Sequence, residues 1–149
     1  MGNALFYHLT RSPAEDLLPV LIGKSLAAGW RVELRGCDSA RMEWLDAQLW
    51  LRDDFLPHGI AGGPHDPRQP VLLTLPGQPA TNDASCLMAL DGAEVTTAEC
   101  TKLQRACIIF DGGNSDALTR AREQWKALTG AGINAEYWSE ESGRWERKR

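Results

Sequence analysis

The sequence has no long hydrophobic run. No stretch approaches the roughly 20 apolar residues that a membrane-spanning helix needs, and residues 1–7 lack the charged start and apolar centre of a secretory signal. Gly2 does not begin a myristoylation motif, because position 6 holds Phe6 instead of serine or threonine. We therefore expect a cytoplasmic protein without a membrane partner.

Cysteines and histidines are few, and their spacing does not suit metal binding. None of the four cysteines forms a C-x-x-C pair, and the spacing of His58 and His65 matches no zinc pattern. The sequence predicts reduced thiols in an intracellular compartment, no metal site and no other cofactor.

Signatures of catalysis are also missing. No G-x-S-x-G, H-E-x-x-H or paired-carboxylate motif is present. Gly23-Lys24-Ser25 resembles the end of a phosphate-binding loop, but the glycine required five residues earlier is replaced by Leu18, and Gly23 falls within a predicted helix. Gly112-Gly113-Asn114 follows a predicted strand and could hold an anion, although a tight turn is the more usual role of such a pair. We predict that the protein is not an enzyme.

The chain does contain alternating strand and helix patterns. Its 149 residues are 43% hydrophobic and 24% charged, which is typical of one globular domain. Helices are predicted between successive strands, which favours an α/β fold with a largely parallel sheet covered on both faces. The predicted strands span residues 3–9, 30–34, 71–75, 86–90, 106–110 and 135–138.

Caps and breaks define the predicted helices. Ser12 and Glu15 fit a capping box around Pro13, and Pro19 is expected to kink this helix or delay its start. Three more helices are predicted, beginning near residues 38, 96 and 114. The connection over residues 52–70 is long and rich in glycine and proline, so we expect it to be functional or mobile. We assign residues 1–138 to a single domain and expect the charged tail, 139–149, to fray.

Charge is unevenly distributed along the chain. The net charge is −4, but residues 112–149 hold 7 Lys/Arg against 6 Asp/Glu. On the last predicted helix, Arg122 and Lys126 are one turn apart and flank an apolar stripe that contains Trp125. Such a pair is often only a solvated edge, and Trp125 is more often a core residue. Trp50 and Phe55 at the start of the long connection suit either packing or protein docking.

Three blocks of residues carry a resemblance to a known family. They occur in that family's order and at nearly its spacing, and together they cover most of the chain. The blocks are Ala4-Leu5-Phe6-Tyr7; Leu45 to Trp50 followed by Phe55-Leu56-Pro57-His58-Gly59-Ile60-Ala61-Gly62; and Ala121 to Lys126 followed by Ala131-Gly132-Ile133-Asn134. On these residues the sequence resembles the chi subunit of bacterial DNA polymerase III.

The resemblance implies a three-layer, Rossmann-like fold without a phosphate loop, and a non-catalytic role. Chi-like proteins link the clamp loader of the replicase to single-stranded-DNA-binding protein (SSB) by holding its acidic C-terminal tail. The resemblance assigns tail binding to Trp50, Arg122, Trp125 and Lys126. It assigns a second surface, for the psi subunit or another clamp-loader or helicase protein, to Phe55, Leu56, Pro57 and His58. No direct contact with nucleic acid is expected.

Two other interpretations remain open at this point. One is a different adaptor or ligand-binding module on the same scaffold, and the other is a nucleotide-binding enzyme. Titration with an SSB-tail peptide separates the chi-like interpretation from both of these, and titration with mononucleotides identifies the nucleotide-binding enzyme.

Overall fold

An open sheet with helices on both faces organises the molecule. The structure, a computed structural model, describes residues 3–52 and 56–149. The strands in chain order are β1 (Asn3–Leu9), β2 (Val32–Arg35), β3 (Gly59–Ile60), β4 (Val71–Thr74), β5 (Cys86–Leu90), β6 (Arg105–Asp111), β7 (Asn134–Ser139) and β8 (Glu146–Arg147). The helices are α1 (Ala14–Ala27), α2 (Ser39–Trp50), α3 (Thr97–Lys102) and α4 (Ser115–Gly130).

The strand order accounts for the helices that connect the strands. It reads β3-β4-β2-β5-β6-β1-β7-β8, and the pairs are parallel except for β7 with β8. Parallel neighbours require crossover connections, and here these are mostly helices. The predicted α/β class, with three layers and a mostly parallel Rossmann-like sheet, is confirmed.

Two hydrophobic clusters lie on opposite faces of the sheet. One contains Leu18 of α1 and Leu45 of α2, and the other contains Phe6, which is fully buried, with Leu128 of α4. All five residues of β5 are buried, as expected for a central strand covered on both sides. Full burial of side chains of this size contributes about 1.5–3 kcal/mol each relative to exposure. These two clusters fix α2 and α4 on different faces.

The prediction that a capping box of Ser12 and Glu15 begins α1 is wrong. The residue before the helix is Pro13, and no side chain caps the first turn. Ser12 instead binds Glu140, whose carboxylate accepts hydrogen bonds from the Ser12 amide at 2.6 Å and the Ser12 hydroxyl at 3.0 Å. A carboxylate 128 residues away in sequence therefore replaces the local capping box. Pro19 lies inside α1 and does not delay its start.

The other helix caps follow the sequence. Asp38 accepts a hydrogen bond from the Arg41 amide at 2.9 Å and begins α2. Thr96 and Glu99 form a reciprocal capping box at the start of α3. These local interactions need no tertiary partner, which is why the sequence predicts them.

Residues 139–149 differ from the frayed tail that we expected. The chain turns after β7, and β8 pairs antiparallel with it, with Ser139 opposite Glu146. The Trp145 ring packs edge-on against Tyr7 with centroids 5.6 Å apart. The segment is therefore attached to the sheet by backbone pairing and by an aromatic contact.

The long connection over residues 52–70 also contains secondary structure that the sequence analysis missed. Its two-residue strand β3 pairs with β4 at the sheet edge, and a 3-10 turn spans Asp66–Arg68. Asp66 accepts hydrogen bonds from the amides of Gly62 and Gly63. The described part of this connection is thus ordered by its own short-range bonds.

Candidate functional site

Helix α4 carries two of the cations of the candidate site. Asn114 caps the helix by accepting a hydrogen bond from the Ala117 amide at 3.1 Å. Ala121 and Leu128 are buried and hold α4 against the sheet. Arg122 and Lys126 are exposed, and their i, i+4 spacing makes them neighbours on the helix surface. In the part of the chain that the structure describes, neither has an ion-pair partner.

Trp125 forms an aromatic wall next to these cations. Its ring meets Phe6 edge-on at a centroid distance of 5.2 Å and Tyr137 at 5.9 Å. Such edge-to-face pairs contribute about 0.5–1.5 kcal/mol beyond their buried area. Trp125 remains only half-buried, so part of its ring is available to a ligand. It serves both the core and the site, and the sequence could not separate these two roles.

These residues line an open cavity of about 400 Å³. The lining residues come from α4, β7 and the chain after β8, and they are Arg122, Trp125, Lys126, Tyr137, Lys148 and Arg149. Four cations thus surround two aromatic rings. This combination suits an anionic ligand that also carries an apolar or aromatic group.

His8 contacts Tyr137, one of the residues that line the cavity. The Tyr137 hydroxyl lies 2.8 Å from Nδ1 of His8, and the His8 ring stacks on Phe110 with centroids 5.0 Å apart. Gly112 makes room for this histidine, because a Cβ atom at that position would overlap the His8 imidazole and lie 3.0 Å from the Leu9 carbonyl oxygen. Packing and the hydrogen bond together fix the Tyr137 ring.

The pKa shifts around the cavity have identifiable causes. Burial lowers the pKa of His8, and Arg122 lowers it further, while Glu141 and Asp111 act in the opposite direction. Burial raises the pKa of Tyr137 against the influence of Arg122 and Arg149. Both groups are therefore neutral near pH 7, and the positive charge of the cavity comes from its arginines and lysines.

A comparison with protein families identifies the family to which the chain belongs. The sequence matches the family model described as DNA polymerase III chi subunit, HolC, over residues 1–136. The chain belongs to the DNA polymerase III chi subunit family. A comparison with curated proteins finds no match. Chi is a non-catalytic accessory subunit of the replicative polymerase, which places this chain in DNA replication.

The four residues that the chi resemblance assigned to one site do not come together. Arg122, Trp125 and Lys126 line the cavity described above. Trp50 ends α2, which packs on the opposite face of the sheet from α4. Its ring lies over His58, with centroids 4.1 Å apart. Trp50 is therefore not among the residues that line this cavity, because α2 and α4 lie on different faces, and its expected role in tail binding stays a prediction.

The residues expected at a second chi surface divide into two groups. Phe55 lies outside the described residues. His58 is buried, with Nδ1 at 2.7 Å from the Leu56 carbonyl oxygen and Nε2 at 3.1 Å from the Asp46 carbonyl oxygen. Leu56 is also buried, and Pro57 is partly exposed. Leu56 and His58 therefore hold this segment against the protein, and its role in binding a partner stays a prediction.

The nucleotide-like motifs have structural roles. Gly23 lies inside α1, so its amide belongs to the helix and not to a phosphate loop. At the second motif, the Gly113 amide donates to Asp111 Oδ1 at 2.8 Å, and the Gly112 amide donates to the Leu9 carbonyl at 2.8 Å. The glycine pair therefore forms a tight turn whose amides are already bonded.

Neither a metal-binding cluster nor a membrane-spanning helix is found in residues 3–52 and 56–149. This part of the chain contains no group of three or more His, Cys, Asp and Glu residues placed to hold a metal ion. It also contains no helix with the length and apolarity needed to cross a membrane.

Sequence reasoning missed half of the cavity. Tyr137, Lys148 and Arg149 reach it because β8 folds back along β7, and the Lys148 amide donates to the Tyr137 carbonyl at 2.6 Å. A two-residue strand gives no periodic signal. The net positive charge of residues 112–149 was the only sign that the tail adds to the site.

Proposed function

We propose that this chi-family chain binds the acidic C-terminal tail of SSB in the α4 cavity and thereby links the clamp loader of the replicase to SSB. One observation carries the proposal. A chain with net charge −4 gathers four cations around two aromatic rings in a single open cavity.

The chemistry of the cavity matches such a tail. Arg122 offers a planar fork that pairs with a carboxylate through two hydrogen bonds, and Lys126 adds a point charge one turn away. Trp125 and Tyr137 provide ring surfaces for the final phenylalanine of the tail. The arginine and lysine recognise the tail's charge, and the aromatic rings recognise its last residue.

The cavity suggests a modest affinity. Its cations are exposed, and exposed ion pairs typically contribute about 0.2–1 kcal/mol each. We expect a dissociation constant of micromolar order, or about −8 kcal/mol. This value suits a contact that has to form and break during replication.

Calorimetry with two peptides tests the proposal. One peptide carries the acidic tail with its final phenylalanine, and the other lacks that residue. The complete peptide should bind with micromolar affinity, and the shortened one at least about 10-fold more weakly, since burying an aromatic ring contributes about 1.5–3 kcal/mol. Equal affinities would show that the aromatic walls do not hold the tail.

The chi resemblance implies a second partner at Phe55, Leu56, Pro57 and His58, and exposed apolar side chains flank that segment in the sequence. Trp50, Leu51 and Ile60 are exposed by 49%, 75% and 40%, and they lie at the end of α2 and on edge strand β3. We propose that the psi subunit, or another clamp-loader or helicase protein, docks on this surface. The replacement Leu51→Asp should abolish co-purification of that partner and leave tail-peptide binding intact. Retained co-purification would place the partner elsewhere.

Other ligand classes are separated by one further titration. The bonded amides of Gly112 and Gly113 give a phosphate no free donors at that turn. ATP and GTP should therefore cause no saturable heat change at micromolar protein. A saturable nucleotide signal that Gly112→Ala removes would favour a nucleotide-binding protein instead.

A further inference from the structure

The segment after β7 is held at its start and in its middle, and we call residues 140–149 the strap. Its first anchor is Glu140, which is only 5% exposed. Glu140 Oε1 accepts hydrogen bonds from the amides of Thr10, Arg11 and Ser12 at 3.1, 2.8 and 2.6 Å. Its other oxygen accepts one from the Ser12 hydroxyl at 3.0 Å. One side chain thus satisfies four donors of the β1–α1 loop.

The strap is also held in its middle. Trp145 packs edge-on against Tyr7, and Glu146 pairs with Ser139 in the β7–β8 ladder. The Arg147 Nε atom lies 3.9 Å from Glu136 Oε1 on β7. These contacts set the register in which the remaining residues pass the cavity.

The far end of the strap lines the cavity. Lys148 and Arg149 lie there with Arg122 and Lys126, and Arg149 is close enough to Tyr137 to influence its pKa in the direction opposite to burial. The family match ends at residue 136. Half of the cationic lining therefore comes from a part of this chain outside the matched region.

We propose that the strap is a binding element, that Lys148 and Arg149 contact the bound acidic peptide, and that Glu140 is the residue that positions them. This inference rests on the proposed function of the α4 cavity. Glu140 reaches the cavity only through the strap, because its carboxylate is bonded within the β1–α1 loop. Its role is to fix the positions of Lys148 and Arg149.

The negative charge of Glu140 allows a positioning role to be distinguished from a simple effect of net charge on binding. Removing a carboxylate makes the protein less negative, and this change alone would strengthen the binding of an acidic peptide. If Glu140 positions the strap, the same removal weakens binding. Glu141 is the matched control, since it is the next residue, carries the same charge and is exposed.

The experiment measures the affinity of a fluorescent SSB-tail peptide for the full chain and its variants. Glu140→Ala should weaken binding about 3- to 10-fold, the effect of losing two exposed ion pairs, whereas Glu141→Ala should bind as tightly as wild type or more tightly. Glu140→Gln keeps an oxygen for the three amides and should bind between these two. Hydrogen exchange should show faster exchange of the Lys148 amide in Glu140→Ala, because its bond to Tyr137 depends on the strap.

A second variant leaves the anchor intact. Lys148→Ala combined with Arg149→Ala should weaken binding by a similar factor, about 3- to 10-fold, without faster exchange of the Thr10, Arg11 and Ser12 amides that Glu140 binds. If Glu140→Ala binds like Glu141→Ala, or the double variant binds like wild type, the strap has no role in binding. In that case Arg122→Ala still tests the cavity itself. Wild-type protein that binds no peptide would overturn the proposed function as well.

Discussion

At the scale of single residues, Arg122 is the arginine that α4 contributes to the cavity lining. It influences the pKa of both His8 and Tyr137, so its charge lies close to the inner end of the cavity. Arg122→Ala should weaken tail-peptide binding about 10- to 100-fold, since a guanidinium that makes two charge-assisted hydrogen bonds contributes more than a single exposed ion pair, about 1.5–3 kcal/mol. Calorimetry gives the affinity.

Arg120→Ala is the control for this prediction. It removes the same charge from the same exposed helix, but Arg120 does not line the cavity. Its affinity should stay within about 2-fold of wild type, as for an exposed charge outside the contact. A loss equal to that of Arg122→Ala would mean that only the overall charge of α4 matters.

His8 should make the free energy of unfolding depend on pH, and a single substitution can test this. Burial lowers its pKa in the folded state below the ordinary value of 6.5. As pH falls through that value, the unfolded chain takes up a proton before the folded chain does, so the free energy of unfolding decreases. This loss continues until pH reaches the lowered pKa, and it is absent above the ordinary value.

The variant His8→Phe should remove this contribution and keep the stacking on Phe110. Denaturant unfolding between about pH 7 and about pH 5 should show a shallower decline for His8→Phe than for wild type. Identical slopes for wild type and His8→Phe would contradict the assignment.

At the scale of elements, two glycines of the α1 region should respond oppositely to the same change. Gly23 is exposed inside α1, and no atom lies within 4 Å of the Cβ that alanine would add. Gly23→Ala should stabilise the protein by about 0.5–1 kcal/mol, because glycine is a poor helix residue. Gly29 follows the helix at φ +84°, where alanine should cost about 1–2 kcal/mol.

Thermal and denaturant unfolding of the two variants measure this difference. Opposite signs are expected, with peptide binding unchanged in both. A destabilised Gly23→Ala protein would show that this glycine is not an ordinary helix position.

The elements also show which structural signals are present in the sequence. Strands β1 and β5 have the predicted bounds, because their apolar runs are continuous and end at turn residues. The caps Asp38 and Asn114 were predicted because both act on amides three residues away. Ser12 was wrongly predicted as a cap, because Glu140 competes for its hydroxyl from 128 residues away.

At the scale of the whole molecule, the protein is acidic but proposed to bind an acidic peptide. Its net charge of −4 opposes the approach of the SSB tail, and only the local cations of the cavity attract it. Both effects are screened by salt over a Debye length of about 8 Å at physiological ionic strength. The short-range attraction at exposed side chains is the larger effect once the peptide is bound.

Affinity should therefore fall as salt rises. Between about 0.05 M and about 0.5 M salt, we expect the dissociation constant for the tail peptide to increase several-fold, as measured by fluorescence anisotropy. The double variant of Lys148 and Arg149 should show a weaker salt dependence, because it has two fewer charges at the cavity. Salt-independent binding would mean that the aromatic walls alone hold the peptide.

The candidate site was only partly predictable at this scale. Arg122, Trp125 and Lys126 share one helix, and their spacing already placed them together. Trp50 could be assigned to a face only after the strand order was known, because that order decides which face each right-handed crossover covers. Lys148 and Arg149 depend on a pairing between β7 and β8 that only the folded molecule shows.

The two ends of the sheet have a further consequence. An open sheet exposes unpaired backbone groups at its outer strands, and a long outer strand invites pairing with another copy of the chain. Here the outer strands β3 and β8 are two residues each, so either edge offers little backbone for such pairing. Behind β8 lies β7 with six residues. Because β8 pairs with Trp138 and Ser139, the strap covers the backbone at that end of the longer strand, in addition to lining the cavity with two cations.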